Sequence, residues 1–260
     1  MSPPGAQPIT LTVDIGGSAL KASVLEPDGE PCCEPVRVAT TYPCPPDALV
    51  RAVCDLTRPL PAYDRVSVGF PGMVRHGRVL SASNLATKAG PGTAPSPELV
   101  AAWSGFDLRA ALERELERPT RVVNDADLQG AAVVTGAGLE VVITLGTGFG
   151  TAVFEDGRLA PHLELAHHTF RKGKTYDEQL GDAARKRIGR ARWNKRVAAA
   201  VEALDAVFFF DHLYIGGGNS RRVDVDLGPK VTLVDNLAGI LGGIRLWDPQ
   251  ASPPDIGATP

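Results

Sequence analysis

Short apolar runs rich in β-branched side chains recur along the chain, and most are closed by glycine, asparagine or aspartate. Residues 9–15 (ITLTVDI) and 18–25 predict two strands around Gly16-Gly17, with Pro27-Asp28-Gly29 as the next turn. Residues 66–70 (VSVGF) run into Pro71-Gly72, residues 121–123 into Asn124-Asp125-Ala126-Asp127, and residues 212–215 into Gly216-Gly217-Gly218-Asn219. Helical spacing covers 47–56, 108–116, 128–134, 175–204 with an interruption at Gly189, and 237–247. Between them, 83–97 is rich in Ala, Gly, Pro and Ser and reads as a loop, long enough to be a substrate loop. Strands alternating with helices predict an α/β protein.

The stretch 141–168 stands apart. Strands at 141–145 and 151–154 flank Gly146, Thr147, Gly148 and Gly150, and a Glu-Asp-Gly-Arg turn closes the second. Glycine inside an element is unfavourable by roughly 0.5–1 kcal/mol, so this density points to positive φ or to backbone N–H groups approaching a ligand, a phosphate above all. An ordinary bulged hairpin is the structural alternative. The outline of strand, glycine turn with a hydroxyl residue, strand and Asp-Gly turn also occurs at residues 9–29. From Gly17 to Gly29 is 12 residues and from Gly148 to Gly157 is 9, which predicts two related half-folds.

Composition sharpens this picture at four points. With 260 residues, 43% apolar and 22% charged, the chain suits two packed domains. No run approaches the roughly 18 apolar residues of a membrane span, and the opening MSPPGAQP lacks signal-peptide character, so the expected compartment is the cytoplasm. The four cysteines lie within the first 54 residues without metal-ligand spacing, and reduced thiols are expected. The net charge of −3 hides a division: residues 171–196 hold ten Lys/Arg and three Asp/Glu, so the remainder of the chain carries −10. A concentrated basic segment on an acidic protein points to a polyanionic partner. Nucleic acid fits by charge but not by motif, since Trp193 is the segment's one tryptophan and no reading motif appears.

Several side chains suit chemistry better than packing. Asp14 ends an apolar strand, where a carboxylate near a phosphate site could hold Mg²⁺ through water. Lys21 could counter phosphate charge. Asp125 stands where a strand meets a helix N-terminus; it suits an N-cap, and it also suits a general base taking a proton from a substrate hydroxyl. Glu164 and His167, three apart, share a face on a helical turn and could engage vicinal hydroxyls. For Asn84 and Asp107, which flank the loop, a turn role is the simplest reading.

Taken together, VDIGGSALK, FPGMV, VVNDAD, LGTGFGTAVFEDG, ExxH and YIGGGN resemble the ROK sugar kinases (repressor, open reading frame, kinase) of the actin/hexokinase-like superfamily. The likeness runs from residue 11 to about 247, and it is strongest to the polyphosphate glucokinases in ELAHHTFRKGKTYDEQLGDAARKRIGRARWNKRV and GILGGIRLW. The resemblance implies two RNase H-like α/β domains around a cleft, a smaller one over 1–123, completed by a C-terminal helix at 237–250, and a larger one over 124–236. It implies Asp125 as the base on the glucose 6-hydroxyl. Gly72, Asn84, Asn124, Glu164 and His167 would be sugar contacts, and Asp14 would support Mg²⁺. Gly16, Gly17, Ser18 and Lys21, with Gly146, Thr147 and Gly148, would hold the phosphoryl donor, and Gly216, Gly217 and Gly218 would line a nucleotide region.

Two departures matter. The family's CxCGxxGCxE zinc motif has no counterpart after the Glu-His pair, so zinc is not expected, and the basic segment occupies its place. The loop over 86–103 is also long and Gly/Pro-rich. The first strand begins by residue 9, leaving no helix-turn-helix before it, which argues against a repressor. The expected reaction is transfer from inorganic polyphosphate, with ATP as a possible donor, to glucose. Lys172, Lys174, Arg185, Lys186, Arg187 and Arg190 are the candidate polyphosphate contacts. The alternatives are a strictly ATP-dependent hexose kinase and a non-catalytic sugar sensor. A homodimer is expected from the family, with neither nucleic acid nor membrane as partner.

Overall fold

A computed structural model of the chain describes residues 7–234 and 242–248. They fall into two compact units, one up to Ala132 with 242–248, the other from Val133 onwards.

The first unit is built on β1 (Thr10–Ile15), β2 (Ala19–Leu25), β3 (Val36–Ala39), β4 (Arg65–Phe70) and β7 (Thr120–Asn124). Their order is β3-β2-β1-β4-β7, with β1, β4 and β7 parallel and β2 antiparallel to both its neighbours. Period-two alternation places Leu11, Val13 and Ile15 on one face, where α1 (Pro46–Thr57) and α3 (Leu108–Leu116) cover the sheet. Thr10 and Thr12 face the other way and are also buried, under α4 (Asp125–Ala131) and α8 (Gly242–Arg245). Only small residues allow that second layer to approach. A Cβ at Gly243 would strike the Thr12 hydroxyl, and Ser67 donates to the Gly243 carbonyl at 2.6 Å. Short hairpin strands β5 (Val74–Arg75) and β6 (Arg78–Val79) and helix α2 (Pro97–Trp103) complete the unit.

The second unit repeats the plan. Strands β8 (Leu139–Leu145), β9 (Phe149–Glu155), β10 (Arg158–Leu159), β13 (His212–Gly216) and β14 (Val231–Leu233) are ordered β10-β9-β8-β13-β14, again two antiparallel pairings followed by two parallel ones. Helices α5 (Tyr176–Leu180), α6 (Asp182–Ile188) and α7 (Arg190–Phe208) follow the hairpin of β11 (Thr169–Arg171) and β12 (Lys174–Thr175). Val141, Ile143 and Leu145 pack with Trp193, Val197, Ala200, Val201 and Leu204.

The structure revises several boundaries. The helix expected at 128–134 begins at Asp125, because Asn124 caps it. The long basic helix is three helices, broken at Gly181 as well as Gly189; Gly181 lies so close to the Thr147 carbonyl that a side chain there has no room. The end of the expected loop over 86–103 is α2. Gly216-Gly217-Gly218 leads into a 3₁₀ turn, Ser220–Arg222. The helix expected at 237–247 lies partly outside the described residues; its described part is α8. No described helix is long and apolar enough to cross a membrane.

One buried charge pins the second sheet. Glu140 is fully buried on β8, accepting from the Thr135 and Gly136 amides at 2.7 Å and from the Tyr214 hydroxyl at 3.0 Å. Burial alone would raise its pKa, yet these hydrogen bonds hold the carboxyl below its ordinary value. A folded value below the unfolded one stabilises the protein above the unfolded pKa, and the effect is lost as pH falls through the folded value. Glu140→Gln should therefore lower stability by about 1–3 kcal/mol at neutral pH, with the difference from wild type shrinking in acid, as read by denaturant melts across pH.

Candidate functional site

In the first unit the predicted residues converge on the carboxyl ends of three parallel strands, the edge where open α/β sheets bind ligands. Asp14 lies level with Gly69, and Gly69 with Val123, across β1, β4 and β7. Since β4 separates the other two, the strand ends bearing Asp14 and Asp125 are about 10 Å apart.

The β1–β2 turn is tight, Gly16 N–H donating to the Ala19 carbonyl at 2.9 Å. A Cβ on Gly17 would come within 2.8 Å of Pro91 and 3.1 Å of Asn84, so the 83–96 loop lies against the turn. Two residues not foreseen from sequence fix this contact. Thr40 donates to the Gly16 carbonyl at 2.7 Å, and the Tyr42 hydroxyl donates to the Gly17 carbonyl at 2.6 Å and the Asn84 carbonyl at 3.1 Å. Burial pushes the Tyr42 phenol up to about 12, so it remains a donor throughout the ordinary pH range. Ser18 is exposed beside this turn, and Lys21 Nζ stands 3.5 Å from Asp14 Oδ2.

Asn124 and Gly72 are bonded to each other. The Asn124 amide donates to the Gly72 carbonyl at 2.9 Å, and its oxygen accepts from Ala126 N–H at 2.7 Å, making Asn124 the N-cap of α4. A side chain at Gly72 would collide with the Ser81 carbonyl. The cap role open to Asp125 thus falls to its neighbour, and Asp125 is the first helical residue, half-buried, with Oδ1 accepting from Ala126 N–H at 2.9 Å. Gly69, which sequence reasoning passed over, makes this placement possible. Its Cβ would lie 3.3 Å from the Asp125 Cα and 2.8 Å from Leu128.

A second cluster belongs to the second unit. In the turn between β8 and β9, Gly146 N–H donates to the Gly148 carbonyl at 3.0 Å, and the Asp182 amide returns to the Gly146 carbonyl at 3.0 Å. Asn219 adds a side-chain bond to the same carbonyl at 3.1 Å. Asp177 accepts from Phe149 N–H at 2.9 Å and fills the place a side chain at Gly148 would need. Gly217 has φ +86 and presses on Leu145. Gly146 and Gly218 are different. Neither has a left-handed φ, and among the described residues a Cβ on either would meet no atom within 4 Å, so their packing does not demand glycine there. Glycine at an open position of this kind permits close approach of a ligand to the backbone.

Glu164 occupies the N-cap position of a 3₁₀ turn, Leu165–His167, where the sequence spacing predicts a helical turn. Thr151 anchors the segment by donating to the Leu163 carbonyl at 2.8 Å. Burial raises the Glu164 pKa, but buried His162, whose Nε2 is 3.8 Å from Oε2, and His167 bring it below the ordinary value. Asp177 is shifted the other way: burial dominates over Phe149 N–H and His167, and Glu164 adds repulsion. The second unit therefore gathers Glu164, His167 and Asp177 into one electrostatic cluster, with Asp177 the member not foreseen.

The basic segment is less bare than its sequence. Lys174 pairs with Glu178 at 2.7 Å, Arg185 and Lys186 both pair with Asp182 at 2.6 Å, and Arg190 pairs with Asp224 at 2.8 Å. The cations on Asp182, Lys186 first, hold it at about 2. Arg187 donates to the Glu178 carbonyl at 3.4 Å, and Lys172 sits exposed in a left-handed turn.

No group of three or more metal-ligating side chains occurs among the described residues. Asp14, a single partly exposed carboxylate beside Lys21, fits Mg²⁺ held through water and shared with substrate phosphates rather than caged by protein.

Comparison with known proteins gives these arrangements a context. The model of the ROK family matches residues 10–162. The chain is 28% identical over 247 residues to the polyphosphate glucokinase of Mycobacterium tuberculosis (strain CDC 1551 / Oshkosh), covering 88% of each. Its fold matches the inorganic polyphosphate/ATP-glucomannokinase from Arthrobacter sp. strain KM with a TM-score of 0.77 and 29% identity, over 92% of this chain and 97% of that one. A ROK family glucokinase from Streptomyces griseus, solved with glucose and AMPPNP, shares the fold at a TM-score of 0.66 and 19% identity, over 92% of this chain and 98% of that one. The fold is thus the actin/hexokinase-like one of ROK sugar kinases.

The two kinds of glycine should separate in denaturant melts. Gly148→Ala displaces Asp177 and is expected to destabilise by about 1–3 kcal/mol. Gly146→Ala should stay within about 0.5 kcal/mol of wild type.

Proposed function

The chain belongs to the ROK family, and from that premise we propose that it is a glucose kinase, transferring a phosphoryl group from inorganic polyphosphate to the 6-hydroxyl to give glucose 6-phosphate. The observation that carries the reading is Asp125, a half-buried carboxylate held at the strand-to-helix junction of β7 and α4 by Asn124 and the small Gly69.

In this reading Asp125 accepts the hydroxyl proton as the oxygen attacks the terminal phosphorus. The bond from that phosphorus to the bridging oxygen breaks, and the shortened polyphosphate leaves with the electron pair. Such a transfer passes through a loose transition state in which position and charge neutralisation dominate. Backbone N–H groups of the two glycine turns other than those of Gly16 and Gly146, which bond within their own turns, would hold donor oxygens, and Lys21 would offset their charge. Asp14 would hold Mg²⁺ through water, and the ion when bound supplies further neutralisation of the donor oxygens. Gly72, Asn84, Asn124, Glu164 and His167 would position the sugar hydroxyls. Asn124 retains one amide hydrogen for this after its two structural bonds.

ATP as a second donor is supported by the Gly216–Gly218 turn, where Gly218 is exposed and no described neighbour requires it to be glycine. The named relatives, at 28–29% identity, point to polyphosphate, and one names ATP as well.

Purified protein given glucose and Mg²⁺ should form glucose 6-phosphate with polyphosphate; product from ATP alone would reverse the donor. Asp125→Asn should lower kcat by about 10²–10⁴-fold with an unchanged circular dichroism spectrum. Near-normal turnover in that variant would remove Asp125 as the base.

A further inference from the structure

Helix α7 turns Trp193, Val197, Ala200, Val201 and Leu204 into the core, with Trp193 Nε1 donating to the Leu180 carbonyl at 2.8 Å. The residues at i, i+3, i+4 and i+7 from Arg192, namely Lys195, Arg196 and Ala199, then share an adjoining face. With Phe170 and Arg171 of β11 they line a groove of about 440 Å³. Four of its six lining residues are cationic and none is acidic.

These four cations contrast with their neighbours in the same segment. Lys174, Arg185, Lys186 and Arg190 each have a carboxylate, whereas among the described residues no ion pair involves Arg171, Arg192, Lys195 or Arg196. Arg196 Nη1 reaches only the Gln179 carbonyl, at 3.4 Å. Its pKa is lowered by burial first and then by Arg171 and Arg187, the signature of like charges crowded together. Arg190 and Arg192 also occupy the first turn of α7, with no acidic residue there, against the preference of a helix N-terminus for negative charge. Repulsion and an opposed helix dipole both weaken the free protein, and an anion in the groove would relieve both.

The shape selects among anions. Residues 192–199 span about 10 Å of helix, too extended for a single small anion to satisfy. Guanidinium forks suit phosphate oxygens. A nucleic acid strand would require aromatic platforms for successive bases, but the groove's single aromatic, Phe170, is stacked on Tyr176 at 4.6 Å. The groove is also tied to the glycine turn through one short helix: α5 holds Phe149 N–H with Asp177 and Arg196 with the Gln179 carbonyl.

We propose that the groove lined by Arg171, Arg192, Lys195 and Arg196 is a binding site for a linear polyphosphate chain, and that these residues, rather than the ion-paired Arg185 and Lys186, are the chain's principal contacts. The assignment of the chain as a donor rests on the function proposed above; the groove itself does not.

The test is calorimetric titration of the full-length protein with sodium polyphosphate at several salt concentrations. In Arg171→Gln/Arg192→Gln/Arg196→Gln, affinity at about 0.1 M salt should fall about tenfold or more, and the slope of log K against log salt should shrink by about 2 for three lost cations. The corresponding triple Arg→Lys protein should recover most of the binding, which separates lost charge from lost folding. An unchanged affinity and slope would overturn the groove, as would a larger loss in Arg185→Gln/Lys186→Gln or tighter binding of oligothymidylate than of polyphosphate. Wild-type protein that does not bind polyphosphate would overturn it too. Wild-type protein that binds polyphosphate through these arginines yet makes no glucose 6-phosphate from it would sink the donor reading and leave the groove standing.

Discussion

The hydrogen bond from the Asn124 amide to the Gly72 carbonyl joins the carboxyl ends of two neighbouring parallel strands, and the rest of the first half-site depends on it. The oxygen of the same amide caps α4, so one side chain sets both the spacing of the strand ends and the starting point of the helix. Asp125 has its position as a result. Gly69 and Gly72 serve the same arrangement from the β4 side, one by letting the Asp125 backbone approach and the other by leaving room for the Ser81 carbonyl. Buried polar groups of this kind are well spent only when their partners are all present, and here the side chain and both backbone groups it engages are matched.

The second unit follows the same logic with a charge in place of an amide. Asp177 holds the Phe149 amide and occupies the space beside Gly148, so the glycine turn is held open from behind by a buried carboxylate. Further along the chain, carboxylates decide which cations remain available to a ligand. Asp182 takes two, Glu178 one and Asp224 one, which leaves a set on α7 and β11 without an ion pair among the described residues. A polyanion bound at the proposed groove would meet a selected part of the basic segment instead of its whole charge.

Much of this was legible in sequence, for reasons that are local. Apolar alternation identifies β1, β2, β4, β8, β9 and β13, and helical spacing identifies α1 and α3 to within a residue or two. The repeated outline of strand, glycine turn and strand corresponds to two sheets of the same order and sense. Other elements were not legible. β3 has mostly exposed side chains and a single apolar alternation, and it exists because β2 offers it an edge. Gly181 breaks the basic helix because the Thr147 carbonyl lies against it, a contact 34 positions away in sequence. Tyr42 gave no local signal, since its role is to reach two backbone carbonyls, one of them 42 residues on.

The amino-acid sequence by itself determined the α/β class, the paired glycine turns, the family and the identity of Asp125 as the residue to watch, because each is written in side-chain period or in a contiguous motif. Tertiary structure alone decided which polar residue caps α4, which glycines packing requires among the described residues, and which cations have a carboxylate partner there. Those properties depend on neighbours brought together across long separations, as Arg190 with Asp224 or Gly69 with Leu128, and no local pattern encodes them.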